Sequence, residues 1–145
     1  MNPSRQLTIR PLRLGHAIGL SLIVAFVTGC GGPTAQISGN AKFDDGSPIE
    51  GAIRSIIFVP TDDTTAEVRK SASGSLAADG SFTLVTRKPG DGVYKGKYAV
   101  TFMVLKDPKL GGLLVPEKYT FAETTPFKVE VTGDRSDLLF ELEKP

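Results

Sequence analysis

The chain has 145 residues, with 17 Lys plus Arg against 16 Asp plus Glu, one histidine, one cysteine and no tryptophan. That is the length of one domain with one modest core, and its near-neutral charge gives no basis for binding nucleic acid. A single cysteine excludes an intrachain disulfide. The sole histidine is His16, so the chain beyond it can build neither a Ser-His-Asp or Cys-His arrangement nor a His/Cys zinc site.

Residues 1–16 carry Arg5, Arg10 and Arg13 and no acid. Residues 17–27 (A-I-G-L-S-L-I-V-A-F-V) carry no charge at all. This is the basic and then apolar pattern of a secretory signal peptide. The apolar run is short of the about 20 residues that a spanning helix needs. It ends in V-T-G-C, where Thr28 and Gly29 are small and Cys30 is followed by Gly-Gly-Pro. Two plainer readings are an N-terminal core helix and an ordinary signal with an incidental cysteine. The Arg-rich flank and the small residues before Cys30 favour neither.

The V-T-G-C tetrapeptide resembles the lipobox of bacterial lipoproteins. That resemblance implies cleavage between Gly29 and Cys30, a diacylglycerol on the Cys30 thiol, and attachment to a membrane through it. Loss of the first 29 of 145 residues leaves 116, with 14 Lys plus Arg against 16 Asp plus Glu. The slight basicity of the chain therefore belongs to the signal. Gly31 is not an acid, which by analogy with proteobacterial sorting permits the outer membrane, facing periplasm or surface. Residues 30–36 form the expected lipidated tether, flexible and short.

From residue 37 the pattern is one of short alternating runs between Gly, Pro and Asp clusters, the mark of an all-β fold. In 37–43, Ile37, Ala41 and Phe43 share one face. D-D-G-S-P at 44–48 is turn chemistry. Residues 52–59 are apolar on both faces at their end, so this strand is expected to be central. A bulge near Arg54 would accommodate its length. Residues 69–77 are small and polar and suit an edge strand. A-D-G at 78–80 turns into 81–86, with Phe82 and Leu84 inward.

Residues 97–105 (K-Y-A-V-T-F-M-V-L) are apolar on both faces and are also expected to be central. Residues 106–126 are the longest irregular stretch. In 127–132, Phe127, Val129 and Val131 face in, and in 138–143 Leu138, Phe140 and Leu142 do so. Seven strands in about 107 residues suit a two-sheet sandwich of immunoglobulin-like or transthyretin-like (prealbumin-like) kind. The strand order stays open.

S-G-N-A-K-F-D-D-G-S-P-I-E-G-A at 38–52, A-D-G-S-F-T-L at 78–84 and G-K-Y-A-V-T-F at 96–102 resemble the successive motifs of carboxypeptidase regulatory-like domains. With the lipobox, P-G-D-G and P-E-K-Y, the chain is similar to small lipoproteins of planctomycetes. The resemblance spans about residues 37–142. It implies a prealbumin-like sandwich and no reaction, because these motifs shape turns and core. Gly46 and Gly80 are expected at positive φ.

The chemistry left to the domain is narrow. Two-carboxylate glycoside hydrolysis would draw on Asp44, Asp45, Asp62, Asp63, Asp79 and Asp91, all in turn-like contexts. Calcium binding could use the adjacent pairs Asp44-Asp45 and Asp62-Asp63, but no D-x-D-x-D-G spacing exists. Polysaccharide binding would need aromatic platforms from Tyr94, Tyr98 or Tyr119, of which Tyr98 is expected in the core. L-G-G-L-L-V-P at 110–116 is the one apolar run in a presumed loop. Leu110, Leu113, Leu114 and Val115 either plug an open end of the sandwich or form a contact patch for a protein or a membrane surface.

The expected function is that of a non-catalytic, exported, lipid-anchored β-sandwich serving as an interaction or structural module of the cell envelope, with no cofactor. A calcium- or polysaccharide-binding envelope protein is the alternative, and a carboxylate-dependent glycoside hydrolase ranks last.

Overall fold

The computed structural model describes residues 31–145. The signal segment, the cleavage position at Gly29–Cys30 and lipidation of Cys30 lie outside the described residues.

The described residues form an all-β sandwich of ten strands: β1 (Thr34–Ala35), β2 (Ile37–Phe43), β3 (Ile53–Pro60), β4 (Ala72–Ser75), β5 (Ser81–Thr83), β6 (Val93–Tyr94), β7 (Gly96–Asp107), β8 (Gly111–Leu113), β9 (Lys128–Val131) and β10 (Arg135–Leu142). Seven of these correspond to the seven alternating runs. β1, β6 and β8 are two or three residues long, too short for alternation to announce them.

One sheet has the order β4-β3-β7-β8, with β9 also on β7. The twelve-residue β7 is long enough to take two partners along one edge. β9 pairs with its start, Gly96 opposite Val131, and β8 with its end, Leu105 opposite Leu113. The other sheet has the order β10-β2-β5. Here β10 runs parallel to β2, because the chain leaves β9 in the first sheet and enters the second beside β2 in the same direction. The bridge between Ser73 and Val85 ties the two sheets at one corner.

The period-2 faces place the core between the sheets. Ile37, Ala41 and Phe43 enter from β2, Ile56 and Phe58 from β3, and Leu138, Phe140 and Leu142 from β10, all buried. Tyr98, Val100, Phe102 and Val104 of β7 are each 0% exposed. Phe140 sits at the centre of an aromatic cluster, 5.4 Å from Phe127, 5.7 Å from Phe102, 6.0 Å from Phe82 and 6.3 Å from Phe58 between ring centroids. The turns at Gly46 and Gly80 take φ of 82° and 81°.

Three expectations need correction. The tether ends at Pro33, not at Gln36. Thr34 and Ala35 pair with Tyr94 and Val93, Ala35 is buried, and the Gln36 carbonyl accepts from the Arg135 amide. Backbone groups that find partners do not stay free. There is no bulge near Arg54, since the register runs unbroken from Ile53 opposite Leu105 to Pro60 opposite Tyr98.

The stretch 106–126 is not irregular throughout. It contains the β7–β8 hairpin and a 3₁₀ turn at Glu117–Tyr119, whose Tyr119 is buried. As expected, β3 and β7 are central in their sheet, and their second face is covered in part, with Ala99 and Thr101 buried. Met103 is 36% exposed, and Ile53, Ile57, Val59 and Leu105 are half-buried. Flanking strands protect the edges of a strand and leave its second face to whatever packs there.

Candidate functional site

The apolar run at 110–116 divides in two. Val115 is 2% exposed and Leu114 packs against the core, so these two close the end of the sandwich. Leu110 is 89% exposed and Leu113 37%, so these two face outward. The hairpin carrying them is built locally. Asp107 Oδ1 accepts from the amides of Lys109 and Leu110, both at 2.8 Å, and Gly111 and Gly112 take φ of 78° and 84°. Only glycine adopts that conformation without strain.

Register joins Leu113 to a larger surface. Leu105 lies opposite Ile53 on one side and Leu113 on the other, all on the outer face. Met103 follows one pleat along. The result is an uncovered apolar face at one end of the large sheet, with Leu110 at its tip. Alternation in 53–59 and 97–105 carried the signal for this face, but alternation does not tell whether a face is covered.

The acids do not converge. Asp45 accepts from the Ser47 amide at 2.9 Å and pairs with Lys144. Lys144 and then Ser47 hold its carboxyl far below the ordinary range. Asp63 pairs with Lys97 at 2.8 Å and accepts from the Thr61 hydroxyl at 2.7 Å. Those two partners lower its pKa to about 2. Asp79 is lowered by Ser81, whose hydroxyl and amide both donate to it. Asp62 lies 3.6 Å from Arg69.

Asp91 holds its own turn. It accepts from the amides of Thr86, Arg87 and Lys88 at 2.9, 2.7 and 3.0 Å, and these, Thr86 first, lower its pKa. A general acid for glycoside cleavage requires a raised pKa. Every shifted carboxyl here is lowered. Among the described residues no three His, Cys, Asp or Glu side chains group to hold a metal ion.

A groove of about 410 Å³ lies beside the Asp63–Lys97 pair, lined also by Thr61, Tyr98, Lys128, Val129 and Glu130. It offers no aromatic platform. Tyr98 is buried and its hydroxyl donates to the Tyr94 carbonyl at 2.7 Å. Tyr119 stacks on Phe127, with centroids 5.4 Å apart and planes at 17°. Tyr94 is only half-buried.

The opposite end of the sandwich, where the chain enters, was not singled out by the sequence. Gly31–Pro33 precedes β1, and the Lys95 amide donates to the Pro33 carbonyl at 2.9 Å. Lys95 also closes over Gly31, where a β-carbon would lie 3.0 Å from its Nζ.

No family model, curated protein or solved structure matches the chain.

Proposed function

We propose that this chain is an exported lipoprotein in which lipidated Cys30 holds a non-catalytic β-sandwich against a membrane of the cell envelope, with the Leu110–Leu113 end presented to an envelope partner. The observation that carries this is the distance from Cys30 to the fold. Only residues 31–33 separate the cysteine from β1. Three extended residues reach roughly 10 Å. A charged or folded segment needs no cysteine there, whereas an acyl anchor placed so close would fix the domain at the bilayer.

In this reading the two ends have different surroundings. β7 spans twelve residues, roughly 35 Å at the usual strand rise. Its start lies beside the chain entry, and its end carries the hairpin with Leu110. With the sandwich standing upright on its short tether, the hairpin lies at the end away from the bilayer. The apolar face around Leu110, Leu113 and Met103 therefore suits a macromolecule in the aqueous envelope and not the membrane of the anchor. The carboxypeptidase regulatory-like resemblance fits this reading, since its motifs lie at turns and in the core. Shifted carboxyls that are all lowered favour it over hydrolysis, and the lack of a cluster of three His, Cys, Asp or Glu among the described residues favours it over calcium binding.

The test is fatty-acid labelling in cells. Wild type takes label and sediments with membranes, while Cys30→Ser does neither and accumulates as a precursor longer by the signal. Equal labelling of Cys30→Ser would defeat the proposal.

A further inference from the structure

The two ends of the sandwich differ in charge. The loops at the chain-entry end, residues 31–36, 61–71, 86–95 and 132–136, with Glu123 beside Thr61 and Asp62, carry Arg69, Lys70, Arg87, Lys88, Lys95 and Arg135 against six acids. The loops at the far end, residues 44–52, 76–80, 106–114 and 143–145, carry Lys106, Lys109 and Lys144 against six. The entry end is thus balanced, while the far end is net negative.

The placement of the entry-end charges is more telling than their number. Among the described residues, Lys70, Arg87, Lys88 and Lys95 form no ion pair. Several acids at the same end are turned to internal tasks. Asp91 is enclosed by the amides of its own turn, Asp134 accepts from the Gln36 amide at 2.8 Å, and Asp63 is paired with Lys97. Arg87 and Lys88 are exposed, and Asp91 fixes their backbone. The bridge between Ser73 and Val85 brings Lys70 to the same end. Lys95 stands over Gly31, the first described residue after Cys30.

We propose that Lys70, Arg87, Lys88 and Lys95 form a docking surface for an anionic lipid bilayer, which holds the sandwich upright on the membrane that Cys30 enters. This rests on the anchor reading above. Cationic side chains within a Debye length of a negatively charged surface are attracted to it, and salt weakens that attraction. The acidic far end is repelled by the same surface, so both ends favour one orientation. The acyl chains supply attachment, and the four cations supply the angle at which Leu110 is presented.

The experiment uses the full chain exported and purified from membranes, on vesicles of phosphatidylcholine alone or mixed with phosphatidylglycerol. Cys30 is the sole cysteine, so Pro89→Cys and Leu110→Cys each add one position for a fluorophore. A headgroup-attached quencher reports proximity. The expected result is binding to both vesicles, several-fold stronger quenching at position 89 on the anionic ones, its reversal at high salt, and none at position 110. Changing Lys70, Arg87, Lys88 and Lys95 together to Glu removes the difference without releasing the protein. Equal quenching at position 89 on both vesicles, or quenching indifferent to salt, overturns the proposal while the anchor stands. Failure to bind phosphatidylcholine vesicles overturns the anchor and this proposal with it. The salt titration needs no charge variant, so the result does not depend on the fourfold change folding well.

Discussion

The ring of Phe140, from the closing strand, stands edge-on to the ring of Phe102 from the longest strand, with centroids 5.7 Å apart and planes at 70°. This pair links the two sheets through their middle. Each ring brings large apolar area and the edge-to-face geometry that aromatic pairs prefer. Phe140 is 5% exposed while its neighbour Leu139 is 56% exposed.

Phe140→Ala is therefore expected to destabilise the domain by about 3–5 kcal/mol, a large part of the total stability of a domain this size. Leu139→Ala, on the outer face, should change it by less than about 0.5 kcal/mol. Urea unfolding of the two variants checks the contrast, and equal effects would contradict the assignment of faces.

Gly39 of β2 meets the Leu138 carbonyl of β10, and a β-carbon at that position would collide with it. The register of the parallel pair shifts between Arg135 and Leu138, next to this contact. Gly39→Ala should cost about 1–3 kcal/mol through overpacking. Gly133 has no atom near its missing β-carbon and no positive φ. Gly133→Ala should leave stability unchanged or raise it by about 0.4–1 kcal/mol. Thermal midpoints of both variants decide the point.

Asp63 has a folded pKa of about 2, below its ordinary 3.8, with Lys97 as the leading cause. A carboxyl lowered by folding stabilises the native state above its unfolded pKa. That contribution is lost as pH falls from about 4 to about 2. Wild type should lose thermal stability across this window more steeply than Asp63→Asn, and Lys97→Met should flatten the profile in the same way. Both side chains are well exposed, so the slope should diminish in high salt.

Leu110 and Leu113 are exposed and Val115 is buried, although the three lie within six residues. Leu110→Ser with Leu113→Ser should leave stability within about 0.5 kcal/mol of wild type, whereas Val115→Ala should cost about 1–3 kcal/mol. The double variant should also bind less of a hydrophobic dye such as ANS. Undiminished dye binding would show that the apolar face near Leu113 is not an accessible surface.

Much of this protein follows from residue order. Alternation sorted Ile37, Ala41, Phe43, Phe82, Leu84, Leu138, Phe140 and Leu142 to the inner face, and all are buried. Gly46 and Gly80 announced their turns. The lack of histidine beyond His16 removed whole classes of chemistry before any fold was considered. These are local properties. A side chain points up or down by its parity, and a turn closes by its own dihedrals.

Other features existed only once the chain was folded. Thr34–Ala35 became a strand because Val93–Tyr94 came to lie beside it. β10 chose β2, from the far part of the sequence, as its parallel partner, pairing Leu142 with Phe43. The run at 110–116 split between core and solvent because β7 extended far enough to hold β8. Lys70, Arg87, Lys88 and Lys95 gathered at the entry end because the loops at 61–71 and 86–95 both lie there. Parity decides which residues share a face, but what covers that face, and which loops share an end, depend on pairings between distant segments.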